Sequence, residues 1–330
     1  MSVTKRFTKL LSMVTISALM LGACGTAGSM TPAGKQEGGA ATPSPAADAK
    51  PRTIVHAAGQ TIVPAKVERV VTLTPHLADH LLSLGMKPVG SVVREAGDFE
   101  PYIGEQLKGT ESVGQSASPN LEKVLQLKPD LILGEEKNHS KPYEALSKMA
   151  PTIVYANKEM EQDWTLIYKK VAEAVGKQDL AEAKLKEFDA KTKGLKEKLT
   201  AKLGNETVVF FKVTDKDTRV MGSKSSLGKI AYEQLGLKYP AGLPEEEGEI
   251  KLALEKLPEI NPDYIFLLDV NVPDYADKLN EALETPIWKS LKAVQNNHVY
   301  KKPLRATKTG FGLVMHNIFV DEIQKELLGQ

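Results

Sequence analysis

A single cysteine, Cys24, is present in the whole chain, so the folded part has no disulfide and must rest on its hydrophobic core. Charge of one sign is also missing. The formal net charge is +1, which gives none of the basic excess that nucleic-acid binding needs. Long apolar runs are absent as well: the longest, Leu10 to Leu21, falls well short of the roughly 20 residues of a membrane-spanning helix. Aromatic residues make up only 6% of the chain, but hydrophobic residues reach 42%. Over 330 residues that suffices for a full core in two lobes and excludes disorder throughout.

The N-terminus has the organisation of a secretory leader. Lys5, Arg6 and Lys9 precede the apolar run, and the small residues Gly22 and Ala23 precede Cys24. Leu21-Gly22-Ala23-Cys24 resembles the bacterial lipoprotein cleavage box, in which the cysteine becomes residue one and is acylated. That resemblance implies an extracytoplasmic protein held on the cell membrane by lipid at Cys24; two or more acyl chains hold stably. Without the three positive charges of the leader, the remainder carries a net charge near −2. From Gly25 to about Pro51 the chain is Gly, Ala, Ser, Thr and Pro with scattered charge, the composition of a flexible tether.

Beyond Arg52, short β-branched runs alternate with amphipathic stretches: RVVTL (69–73), helical ADHLLSLG (78–85), KPVGSVV (87–93). This is an α/β pattern. The segment NLEKVLQLKPDLIL (120–133) returns as ALEKLPEINPDYIF (253–266), matching Glu122 with Glu255 and Pro129-Asp130 with Pro262-Asp263. RVVTL followed by a helix and Leu84-Gly85 returns as RVMGS (219–223), a helix and Leu235-Gly236. The chain is therefore read as a diverged duplication, two similar α/β lobes. Between the copies, DWTLIYKKVAEAV (163–175), a break at Gly176 and the charge-rich stretch 179–199 predict a helical connector, with Leu180, Leu185, Phe188, Leu195 and Leu199 on its apolar stripe. The expected divisions are a leader over 1–23, a tether over 24–52, an N-terminal lobe over 53–162, a connecting helix over 163–203 and a C-terminal lobe over 204–330.

The paired LE-x6-PD segments, two lobes, helical connector and lipoprotein box together resemble the iron-siderophore and cobalamin substrate-binding proteins of bacterial ABC importers, over nearly all of residues 53–330. The resemblance implies two lobes joined by a long rigid helix with the ligand in the cleft between them. It also implies a monomer that delivers its ligand to a homo- or heterodimeric permease driven by a cytoplasmic ATPase. No cofactor and no directly bound metal are implied, any iron being held by its chelator. Glu122 and Glu255 fall at the positions that dock into arginine pockets of the permease. A glutamate in a helical first turn also gains about 0.3–1 kcal/mol from the macrodipole with no partner at all, which explains one such residue more easily than a matched pair. Ala253 stands where the family has a capping serine, so the second helix is expected to begin nearer Lys251.

Ligands of α/β sheets lie beyond the carboxyl ends of strands, and two facing lobes bring both sets of ends to one cleft. That rule nominates Arg94, Gln115, Lys137 and His139 in the first lobe, and Lys212, Arg219, Arg305 and Lys308 in the second. The set is basic, although Glu135, Glu136, Asp215 and Asp269 share its loops. An anionic ferric complex of a citrate, carboxylate or catecholate siderophore suits such groups through charge-assisted hydrogen bonds. Hydroxamate complexes, closer to neutral, would favour aromatic walls, and these loops have few aromatics, Tyr102, Tyr143 and Trp164 being the nearest.

Two other readings compete. His76 and His80 at i, i+4 with Asp79 between them, and His139 elsewhere, could take bare zinc or manganese, and haem or cobalamin is a further possible cargo. Ser226-Leu227-Gly228-Lys229 and Lys308-Thr309-Gly310 mimic two elements of serine penicillin-binding enzymes, but the only Y-x-N candidate, Tyr155-Ala156-Asn157, precedes the serine. The binding-protein reading, with no enzymatic step, accounts for more of the chain.

Overall fold

The computed structural model describes residues 50–214, 216–246, 248–269, 273–302 and 312–330. The leader, Cys24, the tether up to residue 49, Asp215, Arg305 and Lys308 lie outside these residues. No described helix is long and apolar enough to cross a membrane.

The described chain opens with an antiparallel hairpin, β1 (Arg52–His56) and β2 (Gly59–Val63). The first lobe is a five-stranded, wholly parallel sheet built from β3 (Val70–Thr72), β4 (Gly90–Ser91), β5 (Glu111–Ser112), β8 (Leu131–Glu135) and β9 (Thr152–Tyr155), in the order β5-β4-β3-β8-β9. A small hairpin, β6 (Gly114–Gln115) with β7 (Ser118–Pro119), lies just beyond β5. Val70, Val71, Leu131, Ile132 and Leu133 are all buried, as a parallel sheet covered on both faces requires. The stretch 87–93 contributes only Gly90 and Ser91 to the sheet. A Cβ on Gly90 would overlap Leu127, so the neighbouring strands and helix approach closely there.

Helix α1 (Pro75–Ser83) leaves the end of β3, with Thr74 accepting the Leu77 N–H at 3.2 Å and Pro75 in its first turn. Helix α2 (Leu121–Gln126) holds the first copy of the repeated segment. Helix α3 (Trp164–Val175) is capped by Asp163 and stopped by left-handed Gly176, φ 71°. Helix α4 (Gln178–Leu203) has 26 residues, a length of about 39 Å at 1.5 Å per residue. Its buried stripe is Ala181, Leu185, Phe188, Thr192, Leu195, Leu199 and Leu203. Leu180, expected on that stripe, is 37% exposed; the three- and four-residue spacing counted back from Leu185 lands on Ala181.

The second lobe repeats the plan with a mixed sheet of β10 (Val208–Val213), β11 (Thr218–Met221), β12 (Glu249–Lys251), β13 (Tyr264–Leu267) and β14 (Val299–Lys301), ordered β12-β11-β10-β13-β14. Strands β10, β13 and β14 are parallel, while β11 turns back against β10 and β12. Helix α5 (Leu313–Leu328) closes the chain and packs Phe319 on Phe210 of β10 at 5.1 Å between ring centroids. One hydrophobic cluster runs without a break from Val70, Leu77 and Leu131 through Trp164, Tyr168 and Phe188 to Phe210, Phe266 and Phe319. The two lobes therefore share a seam of α1, α3, α4 and α5.

The sequence repeat has a physical job. Asp130 accepts the Glu68 and Arg69 N–H groups, each at 3.0 Å, and returns its own N–H to Arg69 O at 2.9 Å. Asp263 accepts the Thr207 N–H at 2.8 Å and the Thr207 hydroxyl at 3.0 Å, and returns its N–H to Thr207 O at 3.1 Å. Arg69 and Thr207 each stand one residue before the first sheet strand of their lobe, so each Pro-Asp bolts β8 to β3 or β13 to β10. The residues before the two prolines, Lys128 (φ 46°) and Asn261 (φ 35°), are both left-handed, which lets each helix turn sharply into its strand. Asp130→Ala and Asp263→Ala orphan these N–H groups. Each is expected to cost about 1–3 kcal/mol in urea unfolding, more at the better buried Asp263.

Candidate functional site

Both glutamates of the repeat are exposed and, among the described residues, neither makes an ion pair. Glu122 sits in the first turn of α2, whose N-terminus is capped by Asn120 accepting the Lys123 N–H at 3.0 Å. Arg69 secures the other end of that helix, donating to Leu127 O at 2.6 Å and to Lys128 O at 3.2 Å. Glu255 lies in a 3-10 turn, Leu254–Lys256, that passes into a four-residue helix, Leu257–Ile260. The expected start near Lys251 is replaced by one at Leu254, since Lys251 is still in β12 and Ala253 offers no capping side chain. Pro258, where the first copy has Leu125, supplies no N–H to the previous turn, which suits a 3-10 start. Beside Glu255 opens a groove of about 650 Å³, bounded by Lys216, Thr218, Leu252, Lys278 and Thr285.

The nominated ligand residues of the first lobe stand in unlike settings. His139 is fully buried. Its Nδ1 accepts the Glu135 N–H at 3.0 Å, leaving Nε2–H to donate to Ser116 O at 3.0 Å, so it staples the β6–β7 hairpin to the end of β8. Burial lowers its pKa. Arg94 is ion-paired with Asp98 four residues on, closing a loop in which its N–H donates to Asp98 O at 2.8 Å. Gln115 at the hairpin and Lys137 after β8 are exposed. Glu135, between them, is buried and its carboxyl is pushed up by that burial, although Asn138 donates to it at 2.5 Å.

In the second lobe Lys212 and Arg219 are cross-strand neighbours on β10 and β11, at the carboxyl edge of the sheet. Lys212 pairs with Glu249 and lies 3.4 Å from Asp269; Arg219 contacts Asp217 at 2.6 Å and Glu249 at 3.0 Å; Lys251 reaches Asp217 at 3.0 Å. Three cations thus face three carboxylates. The Arg219 guanidinium holds the Asp217 carboxyl far below its usual range, and Asp217 then Glu249 raise the guanidinium in return. Asp269 is buried and left-handed, φ 58°, an uncommon backbone for a residue other than glycine. Sequence reading had not paired Asp217 and Glu249 with these cations. The signal was there in part, since Asp217 stands just before β11 and two residues from Arg219, close enough to pair with it, but Glu249 is brought in only by the β11–β12 register. Lys302, in the same group of loops, is buried between Glu322 and Glu326 of α5.

Of the histidines proposed for bare metal, His76 and His80 lie in the seam, while His139 is held apart from them between Glu135 and Ser116. No group of three or more metal-type side chains with metal-binding geometry occurs among the described residues. His80 stacks on Tyr168 with ring centroids 5.6 Å apart, and Asp79 spends both oxygens on α5, accepting the Val314 N–H at 2.8 Å and the Met315 N–H at 3.1 Å. Ser226, the serine of the enzyme-like element, sits 3.3 Å from His316 Nε2 of α5.

Residues 70–306 match the model of a family described as periplasmic binding protein. Among curated proteins the chain is similar to "Probable siderophore-binding lipoprotein YfiY" of Bacillus subtilis, 30% identical over 86% of this chain and 90% of the relative. It is also similar to "Fe(3+)-citrate-binding protein YfmC" of Bacillus subtilis, 29% identical over 88% of this chain and 87% of the relative. Among solved structures, that of Staphylococcus aureus SirA complexed with staphyloferrin B is 30% identical, superposes with a TM-score of 0.68, and is matched over 84% of this chain and 98% of SirA.

The buried imidazoles give the stability a pH dependence. Desolvation lowers His76 to about 4 and His80 to about 3, and pushes His316 well down. Below about 6.5 the unfolded chain takes up protons that the folded chain refuses, so their contribution, intact above 6.5, is lost as pH falls toward 4. Asp79, raised to about 7 by burial, acts oppositely, its contribution fading as pH rises from about 4 to 7. Three imidazoles outweigh one carboxyl. The unfolding free energy measured in urea is expected to drop between pH 6.5 and 4.5, by up to about 1.4 kcal/mol per pH unit for each net proton, and His80→Gln should flatten that slope.

Proposed function

The chain belongs to the periplasmic binding protein family, and from that premise we propose that it is an extracytoplasmic lipoprotein that captures a ferric siderophore and hands it to an ABC importer. One observation carries the reading. A chain alike over 86% of its length to the "Probable siderophore-binding lipoprotein YfiY" also holds an exposed, unpaired glutamate at equivalent positions of both lobes, among the described residues. Glu122 and Glu255 are the docking points for basic sockets on a two-subunit permease. Because each lies on a segment bolted to its own sheet by Asp130 or Asp263, their separation reports the angle between the lobes. Ligand capture, by fixing that angle, is read by the permease as a change of spacing. The protein works by binding alone, and energy comes from the partner's ATPase.

The cargo is an anionic ferric chelate of the citrate, carboxylate or catecholate type. Support comes from exposed Lys137 and from Arg94 in the first lobe, with Gln115 as a neutral donor and Arg305 and Lys308 as further cations outside the described residues. Lys212 and Arg219 serve differently from the first expectation. Three carboxylates already balance them, so they hold the rim in shape, and His139 braces the opposite rim. Cys24 carries the lipid that keeps the protein at the membrane.

Titration of the protein from Pro51 onward with ferric citrate-type, catecholate and hydroxamate chelates, following the buried Trp164 and Trp288, tests the cargo. Saturable submicromolar quenching by a carboxylate or catecholate complex is expected, weakened at least tenfold by Arg94→Ala. Binding of zinc or manganese alone, with no response to any ferric chelate, would sink the reading. Docking is tested in cells: Glu122→Ala with Glu255→Ala should keep ligand affinity while abolishing uptake of radioactive iron, and Cys24→Ala should abolish labelling by palmitate.

A further inference from the structure

Helices α1 and α5 belong to different lobes; α1 leaves the end of β3, on the ligand side of an α/β sheet, and the first turn of α5 comes up against it. They meet through one side chain. Asp79, with 0% exposure, directs Oδ1 at the Val314 N–H and Oδ2 at the Met315 N–H, in the first turn of α5, while Tyr102 donates to the same carboxyl. The first-turn N–H groups of a helix lack intrahelical acceptors and are normally capped from within the chain just before it. Here Gly312, at that position, has no side chain to do so, and a Cβ on it would overlap the Asp79 carboxylate. The cap is supplied instead from the opposite lobe, 235 residues away.

We propose that Asp79 is a positioning residue for ligand capture, an interlobe latch that caps the first turn of α5 and thereby sets how the two lobes are seated when the ligand arrives. This rests on the binding-protein reading above. The groups facing the carboxyl are Tyr102 beside it, His76 and His80 on α1, His316 on α5 and Tyr168 on α3, with Glu100 beyond Tyr102. None is a partnering cation, since the imidazoles are held neutral by burial. The carboxyl therefore depends on the α5 backbone and on Tyr102, and any separation of the helices exposes it.

The test compares Asp79→Asn, which keeps the size and loses one acceptor, and Gly312→Ala, which crowds the same contact from the other side, with Ile265→Val in the outer core of the second lobe. Affinity for the ferric chelate that quenches the unaltered protein is measured at pH 6, with hydrogen exchange at the Val314 and Met315 amides. Both latch variants should bind at least tenfold more weakly and exchange those two amides at least tenfold faster, while Ile265→Val stays within twofold on both. Asp79 titrates near 7, so the affinity ratio between unaltered protein and Asp79→Asn should shrink as pH rises from 5 to 7 and stay level above. Unchanged affinity in Asp79→Asn, an equal loss in Ile265→Val, or a pH-independent ratio overturns the latch. If the unaltered protein binds no ferric chelate, the functional reading fails by itself and exchange decides: faster exchange in Asp79→Asn keeps the latch, unchanged exchange removes it.

Discussion

The structure depends above all on the apolar seam where α1, α3, α4 and α5 meet. Each sheet is covered on its outer face by its own small cluster, built around Val124 and Leu146 in one lobe and Leu257 and Trp288 in the other. Only the inner faces run together, through Trp164, Tyr168 and Phe188. Burial on this scale, at roughly 25 cal/mol per Å² of apolar surface, makes separation of the lobes costly and confines their motion to small changes of angle.

Polar groups were admitted to the seam only where each could be satisfied or kept neutral. Asp79 is accommodated by two backbone N–H groups, and His80 and His316 by aromatic neighbours, Tyr168 and Trp164. At the carboxyl edge of the second sheet the opposite solution holds. Lys212 and Arg219 are retained as charges because Asp217, Glu249 and Asp269 surround them, and removing Glu249, which pairs with both, would leave Lys212 a poorly solvated ion, whereas Lys251 reaches Asp217 from an exposed position. The positive residues of these loops are thus of two kinds, those committed to ion pairs within the frame and those, such as Lys137, that stay exposed.

Each lobe also depends on a second, local constraint, the Pro-Asp bolt. The aspartate must follow a helix closely enough to reach the residue before the lobe's first strand, which fixes the length of the helix and with it the place of the glutamate eight residues before the aspartate. Folding and surface chemistry are therefore coupled in one segment, and a repeat that serves folding also places two exposed acids at equivalent positions of the two lobes.

Much was legible in order and spacing: the α/β alternation, the repeat at 120–133 and 253–266, the long connector, and Glu122 and Glu255 as a matched pair. These depend on local periodicity and on residues close in the chain, which the sequence states directly. The partners of Lys212, Arg219 and His139 were not legible, because Glu249, Asp269 and Ser116 arrive through strand register and loop packing. Nor was Asp79, read beside His76 and His80 as a metal ligand when its true partners are the Val314 and Met315 amides. By itself the sequence determined the class of fold, the duplication and the surface acids; the tertiary structure alone decided which charged groups are free and which are spent, since a side chain's burial and partners depend on segments distant in sequence.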